Sequence, residues 1–359
     1  MALSLTRATL PLTFDEITPE WMSLALSERF PGVKVAAVAR DAERAGTSSS
    51  ARFTLDYASD DGHAGLPAAV YVKGGFDPDM RRRTWAALIQ ESTFYARFGA
   101  EVPVRTADVY FAGVDEDARQ GILVLEDMTT RGVHFCRVTD TVTIDFAAKV
   151  MEEMAKLHAH FWDDPRLDAQ RDWTRPQRVY LSWLMRQKHW DACHQRPYAA
   201  MISNVLPSAE YGHAALDALW RINDAQARTL LHGDTHCGNL FFDANGDLGF
   251  IDWQLGFTGA TGHEHAMFFH SALSTQDRRS SERDLIAHYR EVLVASGVDD
   301  APSFDALFLS YRQNNVHTAV SGAFNPYDMQ PQDVTDLSAT RALQAAMDLD
   351  AFSAVGMAT

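Results

Sequence analysis

The residues whose types and spacing could do chemistry lie between His232 and Asp252. His232, Asp234 and Asn239 form an H-x-D-x-x-x-x-N pattern, and Asp252 follows thirteen residues after the asparagine, in Ile251-Asp252-Trp253. Phosphoryl transfer to an alcohol needs a carboxylate that orients the attacking hydroxyl and takes its proton. It also needs oxygen ligands that hold magnesium against the phosphates. A loop feeding a two-stranded hairpin presents these groups together, with Asp234 on the loop, Asn239 at the hairpin's entrance and Asp252 at its exit. The turn of that hairpin is written in Asp243-Ala244-Asn245-Gly246-Asp247, where Asn-Gly supplies the positive φ angles of a tight turn. An H-x-D alone is common by chance; Asn239 and Asp252 at hairpin spacing make the pattern specific.

The elements that must position this stretch fall into two parts. Before Asp127 the chain reads as strands and one helix. The strands are Val35 to Arg40, Ala51 to Tyr57 and Ala68 to Lys73, with a turn at Ala45 to Ser50 and a loop at Gly62 to Pro67. Asp77-Pro78 starts the helix, Trp85, Leu88, Ile89, Phe94, Tyr95 and Phe98 form its apolar face, and Gly99 stops it. Asp108 to Ala112 and Gly121 to Leu125 read as a hairpin. After Asp127 helical patterns dominate: Thr143 to Trp162, Tyr180 to Cys193, Ala209 to Arg228, Ser281 to Ser296, Phe304 to Ala323 and Thr335 to Ala351. The strand-rich island Thr229 to Ile251 interrupts them. The expected domains are therefore 1–127 and 128–359.

The chain has 359 residues, 46% hydrophobic and 22% charged, enough for two folded lobes. With 48 acidic against 32 basic residues its formal charge is −16, which disfavours nucleic acid and anionic membranes as partners and favours a neutral or cationic substrate. Three widely spaced cysteines, Cys136, Cys193 and Cys237, make neither a disulfide framework nor a zinc site and fit a reducing compartment. Met1 to Phe14 lacks the basic start and apolar core of a signal peptide, and no apolar run approaches the roughly 18 residues of a membrane span. The expectation is a soluble cytoplasmic protein.

The stretch Leu231-His232-Gly233-Asp234-x-His236-x-x-Asn239, with Ile251-Asp252-Trp253, resembles the aminoglycoside phosphotransferase and choline kinase superfamily, in particular its ecdysteroid-kinase-like (CHK kinase-like) branch. The resemblance implies an α+β, protein-kinase-like bilobal fold. A small antiparallel N-terminal lobe with one helix would bind nucleotide, and a larger helical C-terminal lobe with a catalytic hairpin would bind substrate. It implies ATP and Mg2+ as cofactors, Asp234 as catalytic base, Asn239 and Asp252 as magnesium ligands, and His232 as a brace of the loop.

Upstream, Lys73 in Val70-Tyr71-Val72-Lys73 looks like the phosphate-binding lysine and Glu91 like the helix glutamate that pairs with it. Glu126 and Met128, in Leu123-Val124-Leu125-Glu126-Asp127-Met128, look like the hinge whose backbone holds adenine. Gly46 is followed by a threonine and three serines in place of G-x-G-x-x-G, so Ser48 and Ser49 become the phosphate-loop candidates. Trp253-Gln254 follows the metal aspartate where a protein kinase has Phe-Gly. Cys237 stands where proline is usual, which should loosen the loop, and Glu264 where aspartate is common at a position that steadies it.

Simpler readings apply to other residues. His158 and His160 suit packing or surface roles, and His263 with His265 lacks a third zinc ligand. Arg81-Arg82-Arg83 reads as a solvated helix start. Trp183, Trp190, Tyr311 and Phe324 suit core packing or an apolar acceptor pocket equally. Two competing functions remain: a catalytically silent, kinase-like nucleotide-binding protein, and a metallohydrolase built on His232-x-Asp234-x-His236. The acceptor of a kinase carries no sequence signal.

Overall fold

The computed structural model describes residues 4–44, 46–58, 65–226, 228–327 and 330–358. Ala45 of the expected turn and Gly62 to Ala64 of the expected loop lie outside them. The chain divides into two compact units, Met1–His134 with Phe242–Leu255, and Phe135–Phe241 with Gly256–Thr359.

The first unit is built on a six-stranded sheet. Its strands are β1 (Leu5–Arg7), β2 (Val35–Arg44), β3 (Ser49–Tyr57), β4 (Ala69–Gly74), β5 (Val109–Asp115) and β6 (Gln120–Glu126), in the order β1-β5-β6-β4-β3-β2. β2 through β6 pair antiparallel, whereas β1 runs parallel to β5, with Leu5 opposite Ala112. The sheet is thus mixed at one edge, and helix α1 (Pro19–Leu26) joins the one helix expected. A three-residue strand and an eight-residue helix are too short to leave a periodic signal.

Helix α2 (Pro78–Arg97) begins as Asp77-Pro78 predicts, with the Asp77 carboxylate accepting from Met80 N at 2.7 Å. It lies almost on the backbone of β6: a Cβ at Gly121 would stand 2.3 Å from the Leu88 carbonyl oxygen. Phe53, Val70, Val72, Ile122 and Val124 form part of the sheet's core. The buried Gln120 side chain donates to Pro11 O and accepts from Gly75 N, each at 2.8 Å, so the N-terminal segment is tied to the end of β4.

The second unit is mainly helical. Helix α3 (Ile144–His160) is capped by Thr143. The single helix expected from Tyr180 to Cys193 is instead two, Arg175–Leu184 and Gln187–Cys193, because Arg186 turns extended at φ −68° and ψ 150°. The next helices are Ala199–Val205 and Ala209–Gln226. Thr275–Ala295 starts earlier than its apolar pattern suggests, because Ser274 caps it. Phe304–Phe324 follows, and then Gln332–Asp348 ends before a short helix, Ala351–Ala354. Strands Thr229–Leu231 and Phe257–Gly259 pair antiparallel, with Leu231 opposite Phe257. The helix Gly262–Ala272 was not legible in the sequence: every residue in it is buried, so no polar face marks a period. Among the described residues no helix is long and apolar enough to cross a membrane.

Candidate active site

In the first unit the side chains of Lys73, Glu91 and Asp252 meet. Lys73 sits near the end of β4, Glu91 on the buried face of α2, and Asp252 just after the strand Leu248–Phe250. The Lys73 ammonium lies 2.7 Å from Glu91 Oε1 and 2.7 Å from Asp252 Oδ1. Burial disfavours the ammonium, but Asp252 and Glu91 outweigh it and hold the Lys73 pKa above its ordinary value. Burial also pushes the Glu91 carboxyl up, to about 7, with Lys73 opposing and Asp252 adding to the rise. Two carboxylates facing one ammonium leave an excess negative charge in a largely buried place.

Asp252 is held in a left-handed conformation, φ 66°, which costs a non-glycine residue roughly 1 kcal/mol. What over-determines it is the next residue. The fully buried Trp253 ring stacks on Phe94 of α2, centroids 4.3 Å apart and planes within 9°, and its Nε1 donates to Thr106 Oγ1 at 3.1 Å. The Trp253 backbone N–H also bonds to Glu91. The substitution of Trp253-Gln254 for Phe-Gly therefore anchors the aspartate to the glutamate's helix. The partner, Phe94, gave no sign of this beyond its place on an apolar face.

In the second unit the loop after Thr229–Leu231 carries His232, Asp234 and Asn239. Asp234 N donates to His232 Nδ1 at 3.3 Å, and Asn239 Nδ2 donates to Asp234 O at 2.8 Å. The loop rests on Glu264, whose carboxylate accepts from the backbone N–H of Gly233 at 2.9 Å and of His232 at 3.3 Å. Burial alone would raise the Glu264 carboxyl, but His158, His232 and His263 facing it hold it below the ordinary value. His158 Nε2 stands 3.9 Å from Oε2, an ion-pair distance rather than a hydrogen bond. Glutamate in place of aspartate thus still reaches the loop. Gly262 is what seats its helix, since a Cβ there would stand 2.3 Å from the Ser310 carbonyl carbon.

Two further residues grip the loop. His263 Nε2 donates to Gly233 O at 2.9 Å and Gln177 Nε2 to the same oxygen at 3.2 Å. His263 is thereby a loop brace, and nothing in the sequence around Gln177 signals its part. Cys237 N donates to Ser271 Oγ at 3.0 Å, a bond proline could not make, so this position ties the loop rather than loosening it. Among the described residues no three or more His, Cys, Asp or Glu side chains gather as a metal cage, so His232, Asp234 and His236 do not form one.

The remaining candidates are placed as follows. Ser49 opens β3 opposite Gly74, with Ser48 just before it in the bend and Ser50 opposite Lys73. The Glu126 carboxylate accepts from Asp108 N at 2.8 Å and from Arg131 at 2.7 Å, so its side chain is already engaged. Met128 is buried. Arg81 is not merely solvated: its guanidinium donates to the carbonyl of Leu12 at 3.2 Å. Tyr311 and Phe324 are fully buried core residues, whereas Trp183 and Trp190 are half-buried.

Residues 83–301 match the model of the phosphotransferase enzyme family (APH). The chain belongs to this family. Solved structures share the family's kinase-like bilobal α+β fold with it. Choline kinase LicA from Streptococcus pneumoniae is 14% identical, with 92% of this chain and 98% of that one covered and a TM-score of 0.50. Choline kinase from Cryptosporidium parvum Iowa II is 12% identical, covering 93% and 97%, with a TM-score of 0.53. The ethanolamine kinase of Plasmodium vivax is 10% identical, covering 87% and 81%, with a TM-score of 0.52. No curated protein sequence matches this phosphotransferase.

Proposed function

We propose that this phosphotransferase is an ATP- and magnesium-dependent kinase that transfers the γ-phosphoryl group to a hydroxyl of a small molecule. The observation that carries the reading is the Lys73 ammonium held at 2.7 Å from both Glu91 and Asp252. Glu91 orients Lys73, and Lys73 contacts the α- and β-phosphates. A divalent cation suits the donor set. Asp252 brings a partly exposed carboxylate beside an excess of negative charge, and Asn239, whose Nδ2 is spent on Asp234 O, keeps its amide oxygen for a hard cation. Magnesium bound with ATP supplies charge neutralisation at the phosphates. Asp234 orients the acceptor hydroxyl and accepts its proton, while His232 and Glu264 hold the loop that carries it.

Nucleotide binding is assigned to residues 1–127, with Ser48, Ser49 and the backbone at Glu126 and Met128 as contacts. Residues 128–359 are assigned acceptor binding and catalysis. The solved relatives act on choline and ethanolamine, small hydroxylated amines; with the charge of −16 they support a neutral or cationic acceptor. The ecdysteroid-kinase-like branch rests on the Leu231–Asn239 and Ile251–Trp253 motifs, and a cytoplasmic site on the cysteine usage.

The test is ADP release from Mg-ATP across hydroxylated metabolites, including choline, ethanolamine, amino-sugars and sterols. Asp234→Asn abolishes turnover while retaining Mg-ATP binding, and Asp252→Ala weakens that binding. Unchanged turnover in Asp234→Asn removes the mechanism. Mg-ATP binding without transfer to any acceptor replaces it with a silent nucleotide-binding protein.

A further inference from the structure

His236 lies on the loop between Asp234 and Asn239 with no part assigned to it above. The backbone N–H of Gly238 donates to its Nδ1 at 3.0 Å. An amide N–H can only donate, so Nδ1 is the bare nitrogen and the neutral ring carries its proton on Nε2. That Nε2 faces the carboxylate of Asp234, 3.8 Å from Oδ2. The residue at 238 matters to this pose: a Cβ there would stand 2.9 Å from Cε1 and 3.0 Å from Nδ1 of His236. Glycine lets the imidazole lie against the loop backbone. The ring is fixed on one side by the main chain and presents its one donor on the other. Both side chains reach solvent, His236 at 34% and Asp234 at 18% exposure, so they lie where an acceptor can approach.

We propose that His236 is a positioning residue for Asp234, its Nε2–H holding one carboxylate oxygen so that the other is aimed at the acceptor hydroxyl. The proposal rests on the reading of Asp234 as the base. At 3.8 Å the contact is longer than a hydrogen bond, and the proposed role requires the two groups to approach when substrate binds. The tautomer makes this possible: with the proton on Nδ1, Nε2 would turn a lone pair toward the carboxylate and repel it. A ring that served only as a loop cap would need its Nδ1 and nothing at Nε2.

Two variants separate these roles. His236→Asn keeps an acceptor near the position of Nδ1 but has no donor long enough to reach Asp234. His236→Gln keeps a donor near the position of Nε2 and loses the short cap. With Mg-ATP and water or the best acceptor of the screen, His236→Asn lowers kcat by on the order of tenfold to a hundredfold with the KM for ATP unchanged. His236→Gln recovers most of that loss. The reverse pattern, Asn like wild type and Gln impaired, overturns the proposal.

A second measurement needs no turnover. In the full-length chain labelled with 15N-histidine, the His236 imidazole shifts report the Nε2-protonated tautomer, and the Nε2 resonance moves in Asp234→Asn. An Nδ1-protonated ring, or an Nε2 resonance indifferent to Asp234, overturns the proposal. If Asp234→Asn leaves ADP release unchanged, the proposed function fails on its own, and the imidazole spectra still decide whether His236 engages Asp234.

Discussion

At the scale of single residues, charge in buried places sets the consequences. Glu264 satisfies two backbone N–H groups of the loop from a fully buried position. Glu264→Ala leaves both donors without a partner and costs roughly 2–5 kcal/mol, read as a lower urea midpoint. Glu264→Gln keeps one acceptor oxygen and costs less than half as much. Lys73→Met is the second case. It removes the cation that Glu91 and Asp252 share, and the Glu91 carboxyl, already near 7, moves higher. A carboxyl raised above its unfolded value near 4.5 contributes stability at low pH that is lost as pH rises through the folded value. Lys73→Met is therefore destabilised at pH 8 and recovers toward pH 6, as thermal unfolding at the two pH values shows. A variant equally stable at both would mean that Glu91 is not held by Lys73.

At the scale of elements, close backbone approach decides where the charged groups sit. Helix α2 brings Glu91 to Lys73 because glycine at 121 lets the helix settle on β6. Gly121→Ala pushes Leu88 and its turn outward, costing about 1–3 kcal/mol, and weakens ATP binding through Glu91 without touching a charged residue. Titration calorimetry with Mg-ATP on the folded variant checks this; unaltered affinity would separate the helix's seat from the lysine's pairing. Much of this level was legible in the sequence. The start of α2 followed from Asp77-Pro78, and the place of the turn Asp243–Asp247 from Asn-Gly, although only Gly246, at φ 82°, takes a positive φ and Asn245 does not; Asp243 N closes the turn to Asp247 O at 3.0 Å. The helix Gly262–Ala272 was hidden by its complete burial, and the break at Arg186 by a continuous apolar pattern on both sides.

At the scale of the whole molecule, buried histidines govern the response to acid. Burial lowers His265 from 6.5 to about 3 and His270 from 6.5 to about 4. Neither ring nitrogen of His265 has a hydrogen-bond partner among the described residues. Between the folded and unfolded values the unfolded chain binds the extra proton, so stability falls as pH drops below 6.5, by about 1.4 kcal/mol per pH unit for each histidine. Denaturant midpoints from pH 7 to pH 4.5 should fall along that slope, offset in part by Glu91, whose raised carboxyl gains stability over the same range. Replacing His265 with phenylalanine, which fits its contacts with Phe269 and Tyr289, should flatten it. An unchanged slope would place the acid sensitivity elsewhere.

Local chemistry was enough for the sequence to nominate candidate site residues. Asp234, Asn239 and Asp252 sit at the ends of a hairpin whose turn is set by neighbouring residues, and that spacing is itself the signal. Lys73 and Glu91 are nominated by the family resemblance, because a lysine at a strand end and a glutamate on a helix carry no signal of their own. Partnership was not local. Only the folded chain put Phe94 under Trp253, Gln177 and His263 on the Gly233 carbonyl, and Ser271 against Cys237. Only the folded chain grouped Phe242–Leu255 with the first unit. These contacts join segments far apart in sequence through packing and hydrogen bonds, and no spacing along the chain encodes them. The stretch from His232 to Asp252 therefore nominates the groups proposed to do the chemistry, while the fold decides what holds each of them in place.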